Sequence, residues 1–176
     1  EDWGITKLGA VAELIGGGTP STLVKEYWVP PEIEWVTGKD ISSSQTARIQ
    51  RTEKRISKLG LENSSTKLLP PLATVFIGRG ATMGKCRMLS RQMAMNQTCY
   101  GIVAKQNMNA VYLYYQLSNL YEKFRASAHG SVFDTVIGSG LQSTMIPVPP
   151  IEEQHQIAKI LSDLDSKIEL NHQLNK

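Results

Sequence analysis

Polar and apolar residues alternate over Glu32-Ile-Glu-Trp-Val-Thr37, which predicts a strand with one face buried. Leu72-Ala-Thr-Val-Phe-Ile77 is a short apolar run ended by Gly78 and predicts a buried strand. Lys85–Leu89 and Gln97–Val103 predict further strands joined through Met93–Asn96, and Thr144–Pro149 a last extended piece. At the start, Trp3–Leu8 reads as a short strand or turn leading into Ala10–Ile15.

The period changes after Asn109, a residue suited to cap a helix. Leu113, Leu117, Leu120, Tyr121 and Phe124 then draw one helical stripe, which Ala128-His-Gly-Ser131 ends. A second helix is predicted from Ile151. Pro150 fits its first position, and Glu152 and Glu153 sit where the helix dipole favours negative charge. Ile157, Leu161, Leu164 and Ile168 follow in the spacing of a coiled-coil seam, continued through Asn171 and widened by Ile160 and Leu174. At 1.5 Å per residue this helix spans roughly 37 Å. It is either folded back on its own domain or lent to a larger assembly. The lack of a Gly, a Pro or a basic last turn favours the second reading.

Strands in runs, with helices between and after them, predict an α+β fold rather than a βαβ repeat. The expected architecture is a mixed or antiparallel twisted sheet with flanking helices over residues 1–150, then a long coiled-coil-type helix over 151–176. Gly16-Gly-Gly-Thr-Pro-Ser21 is expected as a loop whose glycines permit positive φ and close backbone approach, and Gly38–Gln45 as a polar loop. For Gln50–Thr66 two readings stay open, a basic helix broken at Gly60 or a strand followed by a turn.

Composition bounds the function. An apolar fraction of 41% in 176 residues supports one ordinary core plus an appendage. No apolar run reaches bilayer length, no leader pattern opens the chain, and the missing initiator Met fits a trimmed start. Cys86 and Cys99 form no C-x-x-C pair, and His129, His155 and His172 are scattered. The expectation is no metal site and two buried thiols in a reducing cytoplasm.

Charge is unevenly spread. Residues 1–150 hold 16 basic and 11 acidic side chains, and residues 151–176 hold 3 and 5. Within the first part, residues 39–91 hold 11 basic against 3 acidic. Such a span can neutralise phosphates or form an ordinary solvated surface.

Catalytic constellations are not found. Gly78-Arg-Gly-Ala-Thr-Met-Gly-Lys85 misses dinucleotide spacing by one residue, and Cys86 stands where a P-loop needs Ser or Thr. There is no G-x-S-x-G elbow, and His129 near Ser131 is a pairing expected by chance. Acidic residues in the basic span are too few for a metal-dependent nuclease, and no cofactor is expected. Loops rich in Gly, Ser, amide and basic side chains point instead to nucleic acid: Thr19, Ser21, Lys39, Ser43, Gln45, Arg79, Thr82, Lys85, Arg87, Asn96 and Gln97. Lys and Arg position phosphates, while Arg, Asn and Gln can read base edges. A docking module whose basic face meets an acidic protein is the alternative.

Several pieces in order resemble a known family: Trp3 with Leu8, Gly17-Gly-Thr-Pro-Ser21, Trp35-Val-Thr-Gly-Lys-Asp-Ile41, Gly80-Ala-Thr-Met-Gly84, Asn96-Gln97, and Ile146-Pro-Val-Pro-Pro-Ile-Glu-Glu-Gln154 running into Ile157–Leu161 and Leu164–Ile168. The chain is similar to one half of the specificity subunit of a type I restriction-modification enzyme. That resemblance implies a non-catalytic domain reading one half of a split site in double-stranded DNA. It also implies a spacer helix that docks methyltransferase subunits, which carry the methyl donor, in a complex that recruits a restriction subunit. The family holds two such domains apart on two antiparallel helices. This chain has one, so it is expected to be either a piece of a two-domain subunit or a half-length subunit pairing with itself through Ile157, Leu161, Leu164 and Ile168.

Overall fold

In a computed structural model the chain is described over residues 3–80, 82–127 and 139–175. It begins with β1 (Gly4–Lys7), the single turn α1 (Leu8–Val11), β2 (Ala12–Gly16), a 3₁₀ turn at Lys25–Tyr27, β3 (Ile33–Val36), α2 (Gly38–Ser43), β4 (Arg48–Ile49), β5 (Arg55–Ile56) and α3 (Lys58–Glu62). It continues through β6 (Thr74–Ile77), β7 (Cys86–Leu89), β8 (Ala94–Met95), β9 (Cys99–Ala104), α4 (Ala110–Ser127), α5 (Ser139–Ser143), β10 (Met145–Val148) and α6 (Ile151–Leu174).

The fold is α+β with mixed sheets. A five-stranded sheet has the order β2-β9-β6-β7-β4, antiparallel except for the parallel β7–β4 pair. A three-stranded sheet, β5-β3-β8, pairs β3 antiparallel with β5 and parallel with β8. β1 and β10 form an antiparallel pair, Gly4 opposite Val148, which joins the chain's beginning to the segment entering α6.

β6 lies between β9 and β7 and is buried at every position. Its successive side chains point to opposite faces. Phe76 enters a cluster with Tyr112, Leu113 and Leu117 of α4, whereas Val75 and Ile77 enter one with Val36, Ile41, Leu69 and Met95. The α4 stripe is therefore a core face at Leu113 and Leu117. The side chains of Tyr121 and Phe124, and the expected stop at Ala128–Ser131 with His129, lie outside the described residues. Asn109 caps α4, its Oδ1 accepting from the N–H groups of Val111 (3.0 Å) and Tyr112 (2.9 Å).

Three local expectations are corrected. The segment Gly38–Gln45 is helical up to Ser43, because Thr37 and Asp40 form a capping box: Asp40 Oδ2 accepts from the Thr37 N–H at 2.8 Å, and the Thr37 hydroxyl accepts from the Asp40 N–H. The segment after Gln50 is a two-residue strand and then a helix that passes through Gly60 rather than breaking there. A Cβ at Gly60 would lie 2.3 Å from the Tyr27 carbonyl oxygen, so the missing side chain lets α3 approach the 3₁₀ turn. Pro150 occupies the N-cap of α6, one position earlier than expected.

Candidate nucleic-acid interface

Strand directions gather the candidate loops. β2 and β6 run opposite to β9 and β7, so the ends of β2 and β6 and the starts of β7, β9 and β4 share one edge of the large sheet. β3 and β8 end at the same edge, where the Asn96 N–H donates to the Val36 carbonyl (2.9 Å). Backbone hydrogen bonds join the loops: Gly17 N–H to Cys99 O (3.1 Å), Gly18 N–H to Met95 O (3.0 Å) and Gly78 N–H to Thr98 O (2.8 Å). The Ser42 hydroxyl donates to Thr82 Oγ1 (3.0 Å), linking α2 to the β6–β7 turn.

The close approach expected of the glycine loop is present at Gly17, where an added Cβ would sit 1.9 Å from the Asn96 carbonyl oxygen. Positive φ falls elsewhere, at Gly80 and Gly84 among the described glycines. Seating Gly17 on Asn96 lets the Thr19 hydroxyl donate to Gln97 Oε1, and the exposed Gln97 amide N–H groups have no acceptor among the described residues. Asn96 is partly committed to its own turn, since its Oδ1 accepts from the Thr98 N–H (3.2 Å) and hydroxyl (2.8 Å).

The other candidates divide by what they touch. Gln45 and Arg79 are exposed, and Lys85 is half-buried. Ser43 is exposed, and its hydroxyl donates to the Lys39 carbonyl (2.8 Å). Ser21 is exposed further along its loop, where its carbonyl accepts from Trp28 Nε1 (3.1 Å). Lys39 pairs with Glu53 at 2.7 Å. Arg87 is turned inward, its guanidinium donating to the carbonyls of Cys86 and Ser44 (2.8 Å each), and so it braces the end of α2.

The fold breaks up the basic span. Glu32 and Glu34 precede it in sequence, yet β3 brings them against it. Arg55 pairs with Glu34 at 2.5 Å, Arg91 with Glu34 at 3.7 Å and Lys58 with Glu32 at 3.6 Å. Burial works to raise the Glu34 carboxyl, but the Thr52 hydroxyl and N–H and the Arg55 guanidinium hold it below the usual carboxylate range. Sequence reading missed Glu34, whose partners Thr52, Arg55 and Arg91 are all distant in sequence. It also missed the bracing role of Asp40, although T-x-x-D was a visible capping signal.

Both cysteines are buried, and burial pushes the thiols of Cys86 and Cys99 up to about 12 and about 11, so both stay protonated at neutral pH. Among the described residues no group of His, Cys, Asp and Glu is placed to hold a metal ion, and no helix is long and apolar enough to cross a membrane.

α6 is anchored at its base. The buried Gln154 accepts from the Asn109 N–H (2.8 Å) and donates to the Pro149 carbonyl (2.8 Å), tying the start of α6 to the start of α4. Trp3 Nε1 donates to Glu153 (3.1 Å). Ile157 and Leu161 are half-buried beside Tyr112 and Tyr115, so these two seam residues are covered by α4 of the same chain. Leu164 and Ile168 are about half exposed, at 50% and 51%, and continue an apolar stripe with Ile160.

Fold and edge together define a mixed-sheet domain that presents loops at one end and carries a helix anchored at its base. The chain belongs to the type I restriction modification DNA specificity domain family, whose model matches residues 1–176. It is 32% identical over 178 residues to the type I restriction enzyme MjaIX specificity subunit of Methanocaldococcus jannaschii, covering 100% of this chain and 41% of that protein. It is 27% identical to the EcoR124I/EcoR124II specificity subunit of Escherichia coli, covering 90% of this chain and 40% of that protein. The chain thus spans about two fifths of the length of these relatives. The HsdS subunit from Thermoanaerobacter tengcongensis shares the fold, with a TM-score of 0.72 at 18% identity over 99% of this chain and 40% of that one.

Proposed function

We propose that this chain reads one half of a split sequence in double-stranded DNA, as one recognition half of a type I specificity subunit. In this reading residues 1–150 are the recognition domain and residues 151–176 begin the spacer that docks methyltransferase subunits. A restriction subunit joins through the complex, and the chain itself performs no chemistry. The observation that carries the reading is the shared edge: Thr19 with Gln97, Asn96, α2 and the turn bearing Arg79, Thr82 and Lys85 are gathered on one face from separate parts of the sequence. Rigid strands behind the loops supply the fixed spacing that base reading requires.

α6 supports the spacer role. Its base is locked to α4 through Gln154, while Ile160, Leu164 and Ile168 remain available to a second helix. That helix belongs to another recognition half or to a second copy of this chain, and a symmetric pair would read a palindromic split site.

The test is a graft. Residues 1–150 replace the corresponding head of a specificity subunit with a known motif, and methylation by the reconstituted complex is mapped. The expected result is a new half-site beside an unchanged partner half-site. An unaltered motif from an active, assembled complex would overturn the assignment.

A further inference from the structure

The tertiary structure sorts the eleven basic side chains of residues 39–91 in a way their sequence does not show. Lys39, Arg55, Lys58 and Arg91 have carboxylate partners, and Arg87 is committed to two carbonyls. Arg48 and Arg51 are both exposed and have no acidic partner among the described residues. Both line an open cleft of about 350 Å³ between α2 and the segment 46–51, together with Ser43, Ser44, Thr46 and Gln50.

Both sides of this cleft are held rigidly. The Ser44 hydroxyl donates to the Thr46 carbonyl (3.1 Å), and the Thr46 hydroxyl donates to the Arg48 carbonyl (2.8 Å). Arg87 holds the Ser44 carbonyl from below. Beyond Arg51, the Thr52 N–H donates to Glu34 (2.7 Å) and the Glu53 N–H to Asp40 (2.9 Å). Asp40 is the acid lining the cleft, and its oxygens already accept from Thr37 and Glu53. The opposite flank of α2 reaches the Arg79–Lys85 turn through Ser42 and Thr82.

We propose that the cleft between α2 and residues 46–51 seats the phosphodiester backbone of duplex DNA, with Arg48 and Arg51 as its phosphate contacts. α2 then lies between two sets of cations, Arg48 and Arg51 on one flank and Arg79 and Lys85 on the other. The cleft fixes the register of the duplex against the reading loops, because the backbone carrying both arginines is held by hydrogen bonds on either side and a guanidinium fork matches the geometry of phosphate oxygens. This rests on the DNA-binding reading above and adds a contact segment to it.

The experiment is fluorescence anisotropy of the whole chain with a mixed-sequence duplex, titrated across a series of salt concentrations starting low. Each phosphate contact contributes about 0.9 to the slope of log affinity against log salt. The Arg48→Ala/Arg51→Ala variant is expected to lose about 2 from that slope. A control of equal charge change, Lys58→Ala/Lys159→Ala, removes two ion-paired lysines and is expected to keep the slope. Unchanged thermal melting verifies that the exposed substitutions leave the fold intact. Equal losses in both variants would mean that net charge alone is felt, and would overturn the cleft. So would an unchanged slope in the arginine variant while the wild type binds. No duplex binding by the wild type at low salt would remove the DNA reading itself, and the cleft with it.

Discussion

The Tyr115 hydroxyl donates to the Asp165 carboxylate across 2.7 Å, bridging α4 and α6 more than two helical turns beyond the Gln154 anchor. Two attachment points on one helix face set a direction, where a single one would act as a pivot. Tyr115→Phe removes the second point and should cost about 1 kcal/mol, read as a lower urea midpoint. It should also widen the distance distribution between spin labels on the α6 end and the head.

The same contact has a pH signature. Burial, with the Asp165 carboxylate beside it, pushes the Tyr115 hydroxyl above its ordinary value of 10.0. A group whose folded value is raised stabilises the fold below its unfolded value and loses that contribution as pH rises through the folded one. Wild-type stability should therefore fall as pH climbs above 10, and more gently in Tyr115→Phe. Equal slopes in pH-dependent unfolding would separate Tyr115 from this effect.

Gln154 explains the Pro-Pro-Ile-Glu-Glu-Gln entry to the helix in physical terms. Its buried amide serves the Asn109 N–H and the Pro149 carbonyl at once. Gln154→Ala leaves both without that partner and should destabilise by roughly 2 kcal/mol or more in chemical denaturation. Gln154→Glu keeps the acceptor but loses the donor, and should be destabilising as well.

Gly17→Ala places a methyl group 1.9 Å from the Asn96 carbonyl oxygen and 2.7 Å from its carbon, a backbone group that cannot swing aside as a side chain would. The loop at residues 17–21 must shift away from residues 96–98, separating Thr19 from Gln97. Duplex affinity should fall several-fold in anisotropy titrations, while the far-ultraviolet circular dichroism stays close to that of the wild type.

Glu34 should govern part of the acid limb of stability. Its carboxyl is held below its ordinary 4.5, so its contribution is present above that pH and is lost as pH falls through the lower, folded value. Glu34→Gln should destabilise at neutral pH by on the order of 1–2 kcal/mol. It should also flatten the loss of stability below about pH 4.5, measured by denaturant titration across pH.

Arg79→Ala/Lys85→Ala should lower the salt slope of duplex binding by about 2, since both lie on the turn linked to α2 and neither has an acidic partner among the described residues. Arg87→Ala acts differently. It frees the Ser44 carbonyl and should loosen the end of α2, lowering affinity through disorder rather than through charge.

Local periodicity was enough to place the strands around Trp35, Phe76, Cys86 and Ile102, the Asn109 cap and the helix from Ile151, because these depend on side chains a few positions apart. The α+β class followed from their order. The sequence also marked most of the edge loops, since Gly17 and the Asn96-Gln97 pair are local turn chemistry. What it could not state was that residues 17, 38, 78 and 96 meet, because strand order and direction decide that. Nor could it divide the basic span. Glu34 meets Arg55 only once β3 lies against β5, and Arg91 only through the β3–β8 side, while Arg48 and Arg51 have no acidic partner among the described residues because Asp40, which lines their cleft, is held by Thr37 and Glu53. Helix capping and hydrophobic period are short-range properties of a chain, whereas the balance of charge at a surface is set by which distant segments the core brings together.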